Sequence, residues 1–311
     1  MSKRLLKPPA VPEGAGIRIL APASFAMQER VDGGLAALQS LGYAPAFSAN
    51  ALARGPLYFA GTAEQRLADL HAAFESTKSS AVMALRGGYG SNYLLDGVDL
   101  EFIAKHPKPF FAYSDLTGVQ LHLLDEIGLP AFHGPMLAAD FFVEDGVHLD
   151  SFRAAISGDR YSVGSDEGLR MLKPGTARGV LYGGCLSIVA SLIGTPWEPE
   201  TEGKLLFLED VGVKPYQLDR MLWHLRQAGK FEGVTGIIFG EMLNCSSPGA
   251  PPELLDQAIL SALDWFEGPI AIGLRSGHVS RQCVTLTFGV EAELFAQTDC
   301  TLNLLEPAVI A

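Results

Sequence analysis

Apolar residues come along this chain in two rhythms, short unbroken runs and longer stretches that recur every three to four positions, and the two alternate. The run at 17–22 predicts a first strand and the stretch from about 29 to 41 a helix. Thr62 with Gln65 has the spacing of a capping box ahead of a helix that carries Leu67, Leu70 and Phe74. Residues 81–85 form a short apolar strand that runs straight into Arg86-Gly87-Gly88-Tyr89-Gly90. The aromatic run Phe110-Phe111-Ala112-Tyr113 predicts a buried strand that stops abruptly at Ser114, and a helical pattern of Leu116, Val119, Leu121, Leu123, Leu124 and Ile127 follows. Residues 129–134 look like another strand end. Strands separated by helices imply a parallel sheet covered on both faces.

Between about 159 and 178 the pattern gives way to polar, glycine-containing sequence, including Gly164-Ser165-Asp166-Glu167-Gly168. Strand signals resume at 179–183, 204–208, 236–240, 269–273 and 284–288, with a helix over 215–227 that opens on a proline. The pattern predicts an α/β protein of two lobes: an N-terminal Rossmann-like parallel-sheet domain over 1–164, a linker at 165–178 and a C-terminal α/β domain over 179–311.

Composition narrows the function classes. Hydrophobic residues at 48% and charged residues at 19% suit a folded globular chain of 311 residues. A net charge of -12, with 23 Lys and Arg that form no run, argues against a nucleic-acid partner. No apolar stretch approaches the roughly 18 residues of a membrane span, and the positive start at 3–7 has no signal-peptide core behind it. Cys185, Cys245, Cys283 and Cys300 are widely spaced and read as buried thiols of a reducing cytoplasm, without a metal site.

Three strand ends carry reactive side chains. A serine at a strand-to-helix corner points its hydroxyl off the sheet edge beside the first helical N–H groups, as nucleophilic serines do. Ser114 lies at such a corner, although the sequence is not the usual Gly-x-Ser-x-Gly, and a helix N-cap is the bland alternative. Glu209-Asp210 follows the strand at 204–208; adjacent side chains on an extended segment face opposite ways, so position alone leaves the two carboxylates even. His278 follows 269–273 within Ser276-Gly277-His278, and His133, in a glycine turn after a strand, is its rival. His71, His106, His122, His148 and His224 lie in helical or loop patterns that suit surface or capping roles. The types make sense together: imidazole takes the serine proton and returns it to the leaving amine, and a carboxylate fixes the imidazole tautomer. The glycine run at 87–90 would expose backbone N–H groups to an oxyanion, but it lacks a third glycine at dinucleotide-fingerprint spacing, which leaves no cofactor reading.

The segments Arg86-Gly87-Gly88-Tyr89-Gly90, Tyr113-Ser114-Asp115-Leu116-Thr117, His133-Gly134-Pro135-Met136, Gly194-Thr195-Pro196, Phe207-Leu208-Glu209-Asp210-Val211, Tyr216-Gln217-Leu218-Asp219-Arg220-Met221-Leu222 and Gly277-His278 together resemble the LD-carboxypeptidase family of serine peptidases. The group includes muropeptide LD-carboxypeptidases and microcin C7 self-immunity hydrolases. The resemblance covers roughly residues 15 to 295, with the motifs in the family's order. It implies a triad of Ser114, Glu209 and His278, and an oxyanion hole from the N–H of Asp115 and one in the 86–90 loop, Gly87 or Gly88. It also implies an active site between the two lobes, a small peptide substrate and a homodimer. One departure stands out: the family commonly reads Gly-Gly-Asn-Leu where this chain has Gly183-Gly184-Cys185-Leu186, and a thiol cannot replace an amide's hydrogen bonds.

These readings predict a cytoplasmic serine hydrolase without metal or cofactor that releases terminal D-alanine from muropeptide tetrapeptides in cell-wall recycling. Arg86 and Tyr89 are candidates for substrate binding, Arg86 through a bidentate carboxylate contact, with an internal ion pair as its alternative. Asp115 has a bland role at a helix N-terminus, and Asp219 and Arg220 read as structural. The alternative substrate is an aminoacyl or peptidyl nucleotide amide, for which Trp197, Trp223 and Trp265 are the only tryptophans to stack on a base. A ligand-binding module with a dead site is the reading from another class. The loops at 135–150 and 241–252 are the expected carriers of specificity.

Overall fold

The computed structural model describes residues 4–246, 249, 251 and 253–310, so parts of the 241–252 loop, namely 247, 248, 250 and 252, lie outside the described residues. The first half alternates strand and helix: β1 Gly16–Leu20, α1 Gln28–Ser40, β2 Ala44–Phe47, α2 Ala63–Glu75, β3 Ala81–Ala84, α3 Leu100–Lys105, β4 Phe110–Ala112, α4 Thr117–Ile127, β5 Ala131–His133 and α5 Leu149–Ser157. The second half runs β6 Tyr161–Gly164, β7 Arg170–Lys173, β8 Gly175–Cys185, α6 Leu186–Ser191, β9 Lys204–Glu209, α7 Pro215–Gln227, β10 Gly236–Gly240, α8 Leu254–Ala262, β11 Ile270–Leu274, β12 Leu286–Phe288, β13 Glu291–Ala296 and β14 Thr301–Leu304.

The chain divides into two compact units: 1–159 with 281–289 and 307–311, and 160–280 with 290–306. Each unit has its own sheet. In the first unit the order is β12-β5-β4-β3-β1-β2, parallel throughout except that β12 runs antiparallel to β5. In the second unit the order is β6-β14-β13-β8-β9-β10-β11-β7; β8 to β11 form a parallel centre flanked by antiparallel strands.

Local chemistry explains the elements that position side chains. The capping box of α2 forms as its spacing predicts: the Gln65 N–H donates to Thr62 Oγ1 at 3.2 Å and the Thr62 N–H to Gln65 Oε1 at 2.9 Å. On α7, Leu218, Leu222 and Leu225 fall on one stripe and are buried. In the first unit, Phe111 lies with its ring 5.2 Å from those of both Phe132 and Phe152, so β4 is anchored by aromatic packing immediately before the corner at Ser114.

Two expectations change. The stretch 165–178 is not a linker: it holds a tight 3₁₀ turn at Ser165–Glu167, strand β7 and the start of β8, all within the second unit. Its polar residues mark an edge strand, since β7 stands at the end of the sheet beside β11. The apolar run at 284–288 does yield a strand, but β12 joins the first unit's sheet, pairing Leu286 with His133. The C-terminal portion therefore does not form one continuous domain from 179 onward.

Candidate active site

In the first unit the backbone does the positioning. Tyr113 is fully extended, and Ser114 then turns into the left-handed region at φ 65°, followed by a single 3₁₀ turn and α4. For a non-glycine residue that conformation costs roughly 1–2 kcal/mol and persists only where the surroundings fix it. Two carboxylates do so. Asp140, in a π-helical turn at Leu137–Phe141, accepts from the Tyr113 hydroxyl at 3.2 Å and from the Met136 N–H at 2.8 Å. Asp115 accepts from the Ser91 N–H at 2.8 Å, and the Ser91 hydroxyl donates to the Asp115 carbonyl at 2.6 Å. The Asp115 side chain thus ties the serine corner to the glycine loop.

That loop passes closely over the serine. A Cβ on Gly87 would lie 2.8 Å from Ser114 Cβ, 3.0 Å from its Oγ and 3.5 Å from the Asp115 nitrogen, so only glycine fits. Gly88 faces elsewhere, toward the side chain of Ser24. Arg86 and Tyr89 are both exposed on the same loop. Beneath it lies Arg66, only 2% exposed. One of its terminal nitrogens donates to the carbonyls of Pro22 and Gly90, each at 2.7 Å, and its guanidinium stacks on Phe59. Burial lowers the Arg66 pKa, and the nearby Asp115 charge opposes that shift.

In the second unit a side chain does the positioning. Glu209, wholly buried at the end of β9, accepts from His278 Nδ1 at 2.8 Å and from the His278 backbone N–H at 3.0 Å. An ionised carboxylate only accepts, so Nδ1 carries the proton and Nε2 is left as the basic nitrogen. Gly277, at φ 85°, lets this approach happen: a Cβ there would fall 2.5 Å from the Glu209 carboxyl carbon.

Asp210 points away and has another task. It accepts from the Ser187 N–H and from its own neighbour Val211, both at 2.8 Å, and so serves the first turn of α6. Burial pushes its carboxyl up, against the pull of those donors. Cys185 lies beside Glu209 in register and is buried, with its sulfur 3.4 Å from Ser187 Oγ. Burial first, then the charges of Glu209 and Asp210, drive its thiol well above the usual range, so it stays protonated at neutral pH.

The rival His133 is buried in the first unit, with its ring 5.7 Å from that of Tyr113 and 5.1 Å from that of Phe288. His71 accepts from the Asp99 N–H, His106 faces the Phe102 carbonyl, and His148 caps α5. Asp219 is exposed on α7, where Arg220 stacks on Tyr216. Among the described residues, no group of three or more His, Cys, Asp or Glu could hold a metal ion, and no helix is long and apolar enough to cross a membrane.

Sequence reading passed over Arg66, Ser91 and Asp140. Arg66 had a signal, since it shares the buried stripe of α2 with Leu70, Ala73 and Phe74. A cation on an apolar stripe must find partners. Asp140 and Ser91 had none, because Tyr113 and Asp115, the partners that tie them to the serine corner, are 27 and 24 residues away and meet them only in the fold.

A mixed α/β chain with a serine on a left-handed corner and a buried carboxylate–imidazole pair has the makings of a hydrolase. The chain belongs to the LD-carboxypeptidase family, a family of peptidases: the model of the family's N-terminal domain matches residues 17–134 and that of its C-terminal domain residues 178–294. It is 35% identical over 292 residues to the probable murein peptide carboxypeptidase of Bacillus subtilis, covering 93% of this chain and 91% of that one. A muramoyltetrapeptide carboxypeptidase from Oxalobacter formigenes has a similar structure at 27% identity, with a TM-score of 0.83 over 96% of this chain and 100% of that one. The microcin C7 self-immunity protein MccF shares the fold at 22% identity, with a TM-score of 0.90 over 98% of this chain and 100% of that one.

Proposed function

We propose that this protein is a serine LD-carboxypeptidase that removes the terminal D-alanine from muropeptide tetrapeptides, with Ser114 as nucleophile, His278 as general base and Glu209 as the carboxylate that holds the base. The observation that carries the reading is the 2.8 Å contact between His278 Nδ1 and a Glu209 with no exposed surface. A buried carboxylate committed to one imidazole nitrogen fixes its tautomer and stabilises the imidazolium.

In this mechanism Ser114 Oγ attacks the scissile carbonyl while its proton passes to Nε2 of His278. The oxyanion is held by the N–H of Asp115 and that of Gly87, the glycine that lies against the serine. The carbon–nitrogen bond then breaks, the imidazolium protonates the amine of D-alanine, and water cleaves the acyl-enzyme with His278 again acting as base. Exposed Arg86 binds the substrate's terminal carboxylate. A cytoplasmic location and a homodimer belong to the same proposal.

The test is hydrolysis of a purified tetrapeptide muropeptide, in parallel with an aminoacyl-sulfamoyl adenylate, by wild type, Ser114→Ala and His278→Ala. D-alanine release by wild type alone, with each variant down by at least about 10⁴-fold, is the expected result. Cleavage of only the adenylate would move the chain to the immunity-hydrolase reading with the same triad. Full activity in Ser114→Ala would end the serine mechanism.

A further inference from the structure

Beside the Ser114 corner lies an aromatic surface for which the reaction above has no use. Tyr58, Phe59, Tyr89 and Tyr93 form a continuous cluster: ring centroids are 4.7 Å apart for Tyr58–Phe59, 5.4 Å for Tyr58–Tyr89, 5.8 Å for Phe59–Tyr93 and 6.3 Å for Tyr89–Tyr93. The three tyrosines are exposed, Tyr93 by 58%. Next to them Leu57 is 78% exposed and held at φ 56°, a conformation an ordinary leucine avoids. Leaving this much apolar surface in water forgoes burial that the rest of the chain exploits, and such patches, rimmed by charge, mark binding surfaces.

The cluster is rigidly mounted. Arg66 lies under the Phe59 ring while fixed to the Pro22 and Gly90 carbonyls. The Tyr89 N–H donates to Ser24 Oγ at 3.1 Å, the Phe25 N–H to the Tyr58 carbonyl at 3.4 Å, and the Ala60 N–H to the Ala23 carbonyl at 3.0 Å. Hydrogen bonding to Tyr89 is the first cause that lifts the Tyr93 phenol above its ordinary pKa.

We infer that this surface is a subsite for the sugar end of a glycan-linked muropeptide, an inference that rests on the carboxypeptidase reading. Three points lead there. The first is proximity: Tyr89 is two residues from Gly87, which touches Ser114, so the cluster begins within about 8 Å of backbone from the nucleophile. The second is polarity of the substrate. A carboxypeptidase expels a single residue, so a surface of four rings is too large for the leaving alanine and serves the acyl side. An extended peptide spans about 3.3–3.6 Å per residue, which puts the sugar attachment of a tetrapeptide roughly 10 Å from the scissile bond, at the range of these rings. The third is chemistry. A pyranose offers an apolar C–H face and a rim of hydroxyls, and tyrosine offers a π face and a hydroxyl at its edge. Exposed Arg54, stacked on Phe25, and Arg86 supply positive charge for the peptide's carboxylates on a protein whose net charge is -12.

The experiment compares disaccharide tetrapeptide with free tetrapeptide for wild type, Tyr58→Ala and Tyr93→Ala, by kcat/KM, and by calorimetric Kd on a Ser114→Ala background. Wild type should favour the sugar-bearing substrate by about tenfold, and each variant should cut that preference to about twofold while leaving free-tetrapeptide kinetics unchanged. No preference in wild type, or an undiminished preference in both variants, overturns the inference. So does a change from dimer to monomer in the variants at constant preference, which would assign the surface to a second copy of the chain. If wild type releases D-alanine from neither substrate, the carboxypeptidase reading fails by itself. Calorimetry then decides the subsite: disaccharide binding lost in Tyr93→Ala keeps it, and absence of disaccharide binding to wild type removes it.

Discussion

Ser114 and His278 are placed by opposite means. Around Ser114 the chain path itself is fixed: an extended residue, a left-handed residue, a glycine too close for any side chain, and two buried carboxylates bonded to neighbouring backbone. Around His278 one carboxylate holds both the ring and the backbone nitrogen of the same residue. The first arrangement spreads its support over residues from 66 to 140, so no single contact defines it. The second concentrates its support in Glu209. Distributed backbone support tolerates the loss of one partner at graded cost, whereas concentrated support fails all at once.

The comparison is tested most severely at Glu209. Glu209→Gln keeps the shape but removes the charge that stabilises the imidazolium, and kcat for D-alanine release should fall by about 10⁴-fold. Circular dichroism and thermal unfolding check that the fold persists; a loss of less than tenfold would mean that something other than Glu209 positions the imidazole. Next in size is Arg66→Met. It leaves the carbonyls of Pro22 and Gly90 without their buried donor and Asp115 without its counter-charge, so unfolding free energy should drop by about 3 kcal/mol in a urea titration. Arg66→Lys should recover part of that loss. Unchanged stability in Arg66→Met would show that the serine corner stands without the layer beneath it. Smallest is Ser114→Gly. Relief of a left-handed serine, worth roughly 1–2 kcal/mol, outweighs the 0.5–1 kcal/mol of extra unfolded-state freedom, so the inactive variant should be more stable by about 0.5–1 kcal/mol. A less stable glycine variant would mean that the serine side chain itself holds the corner.

What the sequence disclosed follows the same division. The strand, corner and helix around Ser114 are local events, and the abrupt end of an aromatic run at a serine is visible in eleven consecutive residues from Lys108 to Gly118. The helix at 215–227 and the strand at 236–240 were legible for the same reason, an uninterrupted apolar rhythm with a proline at the helix start. Position alone left Glu209 and Asp210 even, because both are acidic and adjacent, and the preference for Glu209 came from the family resemblance; the fold gives one of them His278 and the other Ser187. The edge strands β6 and β7, and β14 beside β6, escaped notice because half-exposed positions near a sheet edge carry polar residues that look like loop.

The path of the chain gives order of synthesis a meaning here. Ser114 leaves the ribosome well before β12, yet the sheet that carries it is not closed until β12 pairs with β5, and Ile310, which pairs with Pro9 and bonds Pro8 and Ala10, follows later still. A nascent chain halted at residue 280 would already contain every side chain proposed to act in catalysis and still expose β5 as a bare edge. Completion of the unit that carries Ser114 thus waits for residues 281–289 and 307–311, and a chain cut short before them would cost that unit its integrity.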